Sequence, residues 1–301
     1  MVALRPRENR RSERRNPASK SLDRLNALKI VQLMNREDRR VSAAVGLALP
    51  AIARAVDLIV QAIRAGGRLI YVGAGSSGRI AVLDAAECPP TFGTSPKLVQ
   101  TLIAGGRTAI TRAVEGAEDS PANAERDLRK IKLTRNDVVA GICASGTTPY
   151  VLSALRFASK IGAATIAITV NRNTPVARLA DVLIATDVGP EVLTGSTRLK
   201  SGTAQKMVLN MLSTAAMARL GHVYENLMID VKASNRKVSQ RMVRILADAS
   251  GKSLSASEHA LRQSRHNLRV ALVMLKLQIN ARDAARKLRD KKGNLRAALG
   301  E

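Results

Sequence analysis

The chain has no tryptophan, three tyrosines and two phenylalanines, so aromatics are 2% of its 301 residues. Few rings are available to stack on bases, and the aliphatic remainder favours helices and buried parallel strands over a β-sandwich. Cysteine is as scarce. Cys88 and Cys143 are too few for a disulfide framework or a zinc site, and a reduced cytoplasm is the expected setting. No apolar run reaches the ~18–20 residues of a membrane span, so no membrane partner is expected. The N-terminus is basic but no apolar segment follows it, so no secretory signal is expected. The three histidines, His222, His259 and His266, lie away from the Gly/Ser loops described below. They read as structural or exposed, and neither a Ser/His/Asp set nor metal-ligand spacing occurs.

What is abundant is aliphatic residue and positive charge. Apolar residues make up 46% of the chain, and the net charge is +25. Residues 1–20 carry 7 basic and 2 acidic side chains, and residues 232–301 carry 17 and 5. The excess is therefore concentrated at the termini and reads first as a solvated basic surface, with steering of an anionic substrate or nucleic-acid contact as functional alternatives. With no helix-turn-helix pattern, no aromatic interleaving and no Cys/His set, nucleic acid is not expected as a main partner.

Three segments follow from the pattern: a flexible basic arm over 1–20, a main domain over 21–231 that includes N-terminal helices, and a small basic helical segment over 232–301. Helical spacing covers 21–35. A second helix is expected from about Asp38 to Arg64, with Pro50 bending or breaking it and Gly66-Gly67 ending it. Buried strands are expected at 68–73, 97–105, 137–144, 163–170 and 181–187, with helices between them at 77–86, 121–131 and 149–160. This alternation predicts a doubly wound α/β fold with a five-stranded parallel sheet, whose ligands bind at the carboxyl ends of the strands. Beyond residue 186 the pattern turns helical, over 197–221 and again over 232–301, where Ser250-Gly251 and Gly293-Asn294 mark turns. Met207, Met211 and Met217 read as core filler.

Three donor-rich loops stand out. The first, GAGSSGR (73–79), follows a strand and opens a helix. Its glycines allow close approach of an anion, and Ser76 and Ser77 supply hydroxyls beside the free N–H groups of the helix start. Gly73, Gly75 and Gly78 also satisfy GxGxxG, but no acidic residue ends the second strand where a dinucleotide ribose would need one, so a phosphomonoester suits the loop better. The second, CASGTTP (143–149), has the same placement, with Ser145, Thr147 and Thr148. The third, VGPEVLTGSTRLKSGT (188–203), offers Ser196 and Thr197, either of which could cap the next helix. Two glutamates complete the set. Glu87 is expected just after a short helix, where Pro89 and Pro90 forbid further helix. Glu118 is expected in the crossover after the second strand, beside a tight turn at Gly116. Both are expected in loops at the carboxyl edge of the sheet, where two carboxylates can divide acid and base work.

The strings RNPASKSLDRL (15–25), GAGSSGRIAVLDAAECPPTFG (73–93), AVEGAEDS (113–120), ASGTTPYV (144–151), GPEVLTGSTRLKSGTAQKMVLNMLSTAAM (189–217) and NLMIDV (226–231) carry a resemblance over nearly the whole chain. It resembles the N-acetylmuramic acid 6-phosphate etherases, a family of the sugar-isomerase (SIS) phosphosugar-binding fold. The resemblance implies a cytoplasmic homodimeric lyase of peptidoglycan recycling that uses no metal or organic cofactor. Such an enzyme removes D-lactate by elimination across C2–C3 of the phosphosugar and then adds water. It implies that Glu87 is the acid for the departing lactate oxygen and Glu118 the second catalytic carboxylate, the base at C2. Ser77, Ser145 and Thr148 match phosphate-binding positions, and Ser196 and Thr197 are implied sugar or phosphate contacts. The family usually carries Arg where this chain has Thr147. A non-catalytic phosphosugar sensor of the same fold is the alternative expectation, since it needs the Gly/Ser loops but not two carboxylates.

Overall fold

In the computed structural model, residues 11–231 and 236–301 are described. The expected flexible arm does not extend over residues 11–20. Short 3-10 turns form at Arg11–Glu13, Pro17–Ser19 and Leu22–Arg24, and Ser12 and Asn16 are buried. The reason lies in polar anchors that no local pattern reveals. Asn16 donates to the Glu37 carboxylate at 2.8 Å and to the carbonyl of Pro190 at 3.2 Å. Residues 1–10 of that arm lie outside the described residues.

Helix α1 (Ala27–Gly46) starts at Asn26, whose side chain accepts from the N–H of Lys29. Helix α2 (Leu49–Arg64) follows after a break at Leu47–Ala48. The expected boundary near residues 35–38 is absent, and the break falls where Pro50 sits in the first turn of α2, a position that needs no N–H. No single helix among the described residues is long and apolar enough to cross a membrane. Together α1 and α2 would pass that test, but they are bent by 58°, and α2 buries Ile52, Val56, Ile59 and Val60.

The remaining elements alternate as expected: β1 (Leu69–Gly73), α3 (Gly75–Phe92), β2 (Val99–Ile103), α4 (Thr108–Thr111), α5 (Pro121–Lys130), β3 (Val138–Ile142), α6 (Pro149–Ile161), β4 (Ala164–Thr169), β5 (Val182–Ala185) and α7 (Lys200–Arg219). The five strands form one parallel sheet in the order β2-β1-β3-β4-β5. Strands β1 and β3 are buried throughout, as continuous apolar runs in a two-sided parallel sheet should be. Ile70 and Val72 join a core cluster with Leu128 of α5 and with Tyr150 and Leu155 of α6. Successive side chains alternate between faces, so Leu69 and Tyr71 turn to the other side. There Tyr71 donates to Asp84 of α3 at 2.9 Å. Asp84 also accepts from Asn210 and Ser213 of α7, so a buried carboxylate joins α3 to α7 with its hydrogen bonds satisfied.

The chain divides into two compact units. The first takes the chain up to Ala85 and Pro96–Ser213, and the second takes Ala86–Ser95 and Thr214–Glu301. The division thus falls inside α3 and α7, not at 231/232 as the composition suggested. In the second unit a two-stranded antiparallel hairpin, β6 (Val223–Tyr224) and β7 (Leu227–Met228), precedes helices α8 (Arg236–Ser250), α9 (Leu254–Gln263), α10 (Leu268–Leu277), α11 (Ala281–Asp290) and α12 (Leu295–Leu299). The boundary moves because Tyr224, Ile229 and Val231 share one core with Met242, Leu246 and Leu272. Gly93 belongs there too: a side chain on it would come within 2.3 Å of the Asp230 carbonyl. Asp230 is held by Arg269 and, at 2.7 Å, by His222 Nδ1, a structural use of that histidine.

Candidate active site

The carboxyl ends of β1 and β3 are neighbours in register, with Gly73 opposite Ile142. The order reverses here, because the chain leaves β1 for β2 on one side and returns to β3 on the other, which opens a crevice above the two strand ends.

Helix α3 starts at Gly75, two residues earlier than the sequence suggests, so Ser76 and Ser77 stand in its first turn and not in a loop. The early start depends on Gly73, where a Cβ would lie 2.9 Å from the backbone nitrogen of Gly78. First-turn N–H groups have no partner within the helix and face the crevice with the positive end of the helix dipole.

The second loop is shaped by Gly146, whose φ of +75° disfavours any side chain; a Cβ there would meet the Thr174 side chain at 2.4 Å. Inside the loop, Thr147 donates to the Ser145 hydroxyl through both its N–H, at 3.2 Å, and its hydroxyl, at 3.1 Å. Thr148 occupies the cap position of α6 without a side-chain capping bond.

These two loops and the 193–197 segment enclose a cavity of about 540 Å³. Of the residues expected in a site, Ser76, Ser77, Glu118, Ser145, Thr147, Thr148 and Thr197 line it together. Ser196 and Glu87 are not among its lining residues. Glu118 lies in a 3-10 turn, Ala117–Asp119, entered through Gly116 at φ +68°, the tight turn expected there. Arg79 holds the approach to that turn, donating from Nε to the carbonyl of Ala109 at 2.9 Å and from Nη2 to that of Arg112 at 3.0 Å.

Glu87 corrects the expectation most sharply. It is an exposed residue within α3, in the second unit, because the helix continues through Pro89 and Pro90 to Phe92. Each proline removes one helical N–H but leaves its own carbonyl free to accept, and Gly93 donates to that of Pro89 at 3.0 Å. Burial of Cys88 and Phe92, one turn apart, holds the last turn in place of the missing bonds.

The start of α7 differs as well. Neither Ser196 nor Thr197 caps it. The buried carboxylate of Glu191 accepts from the N–H groups of Lys200, at 3.1 Å, and Ser201, at 2.9 Å. Capping therefore leaves the Ser196 and Thr197 hydroxyls uncommitted.

Sequence reasoning missed two acidic residues of the cavity wall, Glu13 and Asp119. The signal for Glu13 was its place two residues before the RNPAS string, masked by the arginines around it. The cavity is lined by hydroxyls and carboxylates, and no lysine or arginine lines it among the described residues. The donors it offers are neutral hydroxyls and the N–H groups of the helix start. Among the described residues no group of three or more His, Cys, Asp or Glu is arranged to hold a metal ion.

Comparison with known proteins gives the same picture over a wider range. Residues 51–159 match the glucokinase regulatory protein N-terminal SIS domain, and residues 116–215 match the SIS domain. The fold is similar to a phosphoheptose isomerase from Francisella tularensis, with a TM-score of 0.53 and 18% identity over 64% of this chain and 100% of that one. It is also similar to a proposed phosphosugar isomerase involved in capsule formation from Bacteroides fragilis, with a TM-score of 0.51 and 26% identity over 67% of this chain and 95% of that one. The N-acetylmuramic acid 6-phosphate etherases of Yersinia pestis and Yersinia pseudotuberculosis are each 54% identical to it over 288 residues, 96% of this chain and 98% of theirs. At that identity and coverage, with a hydroxyl-lined cavity at the switch point of the sheet, the chain belongs to the N-acetylmuramic acid 6-phosphate etherase family.

Proposed function

We propose that this chain cleaves the D-lactyl ether of N-acetylmuramic acid 6-phosphate, giving N-acetylglucosamine 6-phosphate and D-lactate, in cytoplasmic recycling of cell-wall amino sugar. The observation that carries the reading is the gathering of Ser76, Ser77, Ser145, Thr147, Thr148 and Thr197 around one cavity that also holds the Glu118 carboxylate. Uncharged donors and the α3 start bind the 6-phosphate, and Ser196 assists from the same segment as Thr197. Glu118, as base, removes the C2 proton, whose acidity rises when the sugar opens to its aldehyde. The electron pair forms the C2–C3 double bond, the C3–O bond breaks, and the lactate oxygen takes a proton; the family resemblance assigns that donor to Glu87, which does not line the cavity. Water then adds at C3 and a proton returns to C2. Both the elimination and the hydration need proton transfer, which positioned carboxylates accelerate by about 10²–10⁴-fold each. The working form is a homodimer, and neither a membrane nor nucleic acid is required as a partner.

The test is to incubate the protein with N-acetylmuramic acid 6-phosphate and measure D-lactate. Release that falls at least 100-fold in Glu118→Gln and in Glu87→Gln supports the reaction and both roles. Undiminished release in either variant removes that residue from the mechanism.

The match of residues 51–159 to a regulatory protein's SIS domain gives a second reading, a phosphosugar sensor without turnover. Tight binding of N-acetylglucosamine 6-phosphate with no D-lactate from the muramic sugar would favour it.

A further inference from the structure

The Glu13 carboxylate faces the cavity without a cation. It lines the same space as Ser76, Ser145 and Thr148, and among the described residues it makes no hydrogen bond or ion pair. Its backbone is nonetheless pinned on both sides. One residue before it, the buried Ser12 hydroxyl accepts from Asn171 Nδ2 at 3.2 Å, and the same nitrogen donates to the carbonyl of Ala144 at 3.1 Å, in the phosphate-binding loop. Three residues after it, buried Asn16 bonds to Glu37 at 2.8 Å. On the cavity wall, a Cβ built on Gly195 would lie 3.7 Å from Glu13 Oε2, so this loop closes on the carboxylate with backbone alone.

An anchored carboxylate in an anion site works against phosphate binding unless something else in the ligand uses it. The chain carries 49 lysines and arginines, yet among the described residues none lines this cavity. A negative group would repel the phosphate and the lactyl carboxylate, which leaves the hydrogen-bond donors of the sugar, its hydroxyls and its acetamido N–H. We propose that Glu13 is a sugar-recognition residue, accepting a hydrogen bond from a hydroxyl or amide N–H of the phosphosugar. The inference rests on the phosphosugar reading of the cavity. It adds that selectivity for the sugar, as opposed to affinity for phosphate, comes from the segment around residue 13. A bond of this kind to a charged acceptor contributes about ten- to a hundred-fold in affinity.

The experiment compares wild type, Glu13→Ala and Glu13→Gln, using N-acetylglucosamine 6-phosphate and inorganic phosphate as binding probes and D-lactate release as the activity. For Glu13→Ala, sugar-phosphate affinity and kcat/KM should fall about ten-fold or more, while inorganic phosphate binding and Tm stay unchanged. Glu13→Gln, which keeps the shape and an acceptor oxygen, should fall in between. Sugar-phosphate affinity within two-fold of wild type in both variants overturns the proposal, as does an equal loss of inorganic phosphate binding. If Glu13→Ala does not fold, Glu13→Gln carries the same comparison. Wild type that binds the sugar phosphate but releases no D-lactate would refute the etherase reading and leave the binding test of Glu13 intact.

Discussion

Lys200 Nζ and Glu37 Oε2 lie 2.7 Å apart, at relative side-chain exposures of 0% and 4%. This ion pair ties the first turn of α7 to the middle of α1, and Asn16 completes it from the N-terminal segment. Removing one partner of a buried pair strands the other charge out of water, at a cost of about 3–5 kcal/mol. Lys200→Met should therefore lower stability by about that much in chemical denaturation. Lys200→Met combined with Glu37→Gln should recover part of the loss, because no unpaired charge remains. Additive losses in the double variant would contradict the pairing.

Acid should unfold the protein through a few carboxylates. Burial, the largest single influence, would raise Asp137, but the hydrogen bonds and charge of Arg68 together with hydrogen bonds from Thr134 offset it and hold Asp137 below its ordinary value. Glu37 and Asp230 follow the same balance, with Lys200 and Arg269 as their largest stabilising partners. A carboxylate lowered in the folded state contributes stability that is present above its unfolded pKa and is lost as pH falls through the folded value. Tm should therefore be steady from neutrality to about pH 5 and drop below about pH 4. Arg68→Ala, measured at neutral pH and at pH 3, should cost more stability at neutral pH, where Asp137 is charged.

Gly146→Ala should damage the second donor loop. The backbone there is left-handed, and the added methyl would meet Thr174 at 2.4 Å. A stability loss of about 1–3 kcal/mol is expected, with weaker substrate binding. An unchanged KM would show that the geometry of this loop does not govern phosphate binding.

Thr147→Arg should strengthen binding. Thr147 lines the cavity, where its N–H and hydroxyl both donate to Ser145. A guanidinium at this position adds a charge-assisted donor to a cavity that no lysine or arginine lines among the described residues. A KM decrease of about three- to ten-fold is expected, diminishing as salt is raised. A KM that rises would place the added cation against the bound sugar instead.

The sheet was legible because its signal is local. Each parallel strand is a short aliphatic run ended by loop residues, and all five lie inside the segments expected from the sequence. The donor loops were legible for the same reason, since glycine marks where backbone must come close. What escaped depended on contacts distant in sequence. Pro89 and Pro90 read as helix breakers, yet α3 passes through them because Cys88 and Phe92 are buried. Residues 11–20 read as a basic arm, yet Asn16 reaches a carboxylate 21 residues away. The capping of α7 by Glu191, nine residues before Lys200, bypasses the Ser and Thr that local rules favour. Glu13 was hidden in the same way, by a composition that describes its neighbours and not its anchors.

The central claim is cleavage of the C3–O bond of the ether, with water entering at C3, in the cavity that holds Glu118. The most direct measurement is the reaction in ¹⁸O-labelled water, with both products followed by mass spectrometry. The account predicts one labelled oxygen at C3 of N-acetylglucosamine 6-phosphate and none in D-lactate, with turnover abolished in Glu118→Gln. Label in the lactate, or unlabelled sugar product, would contradict it.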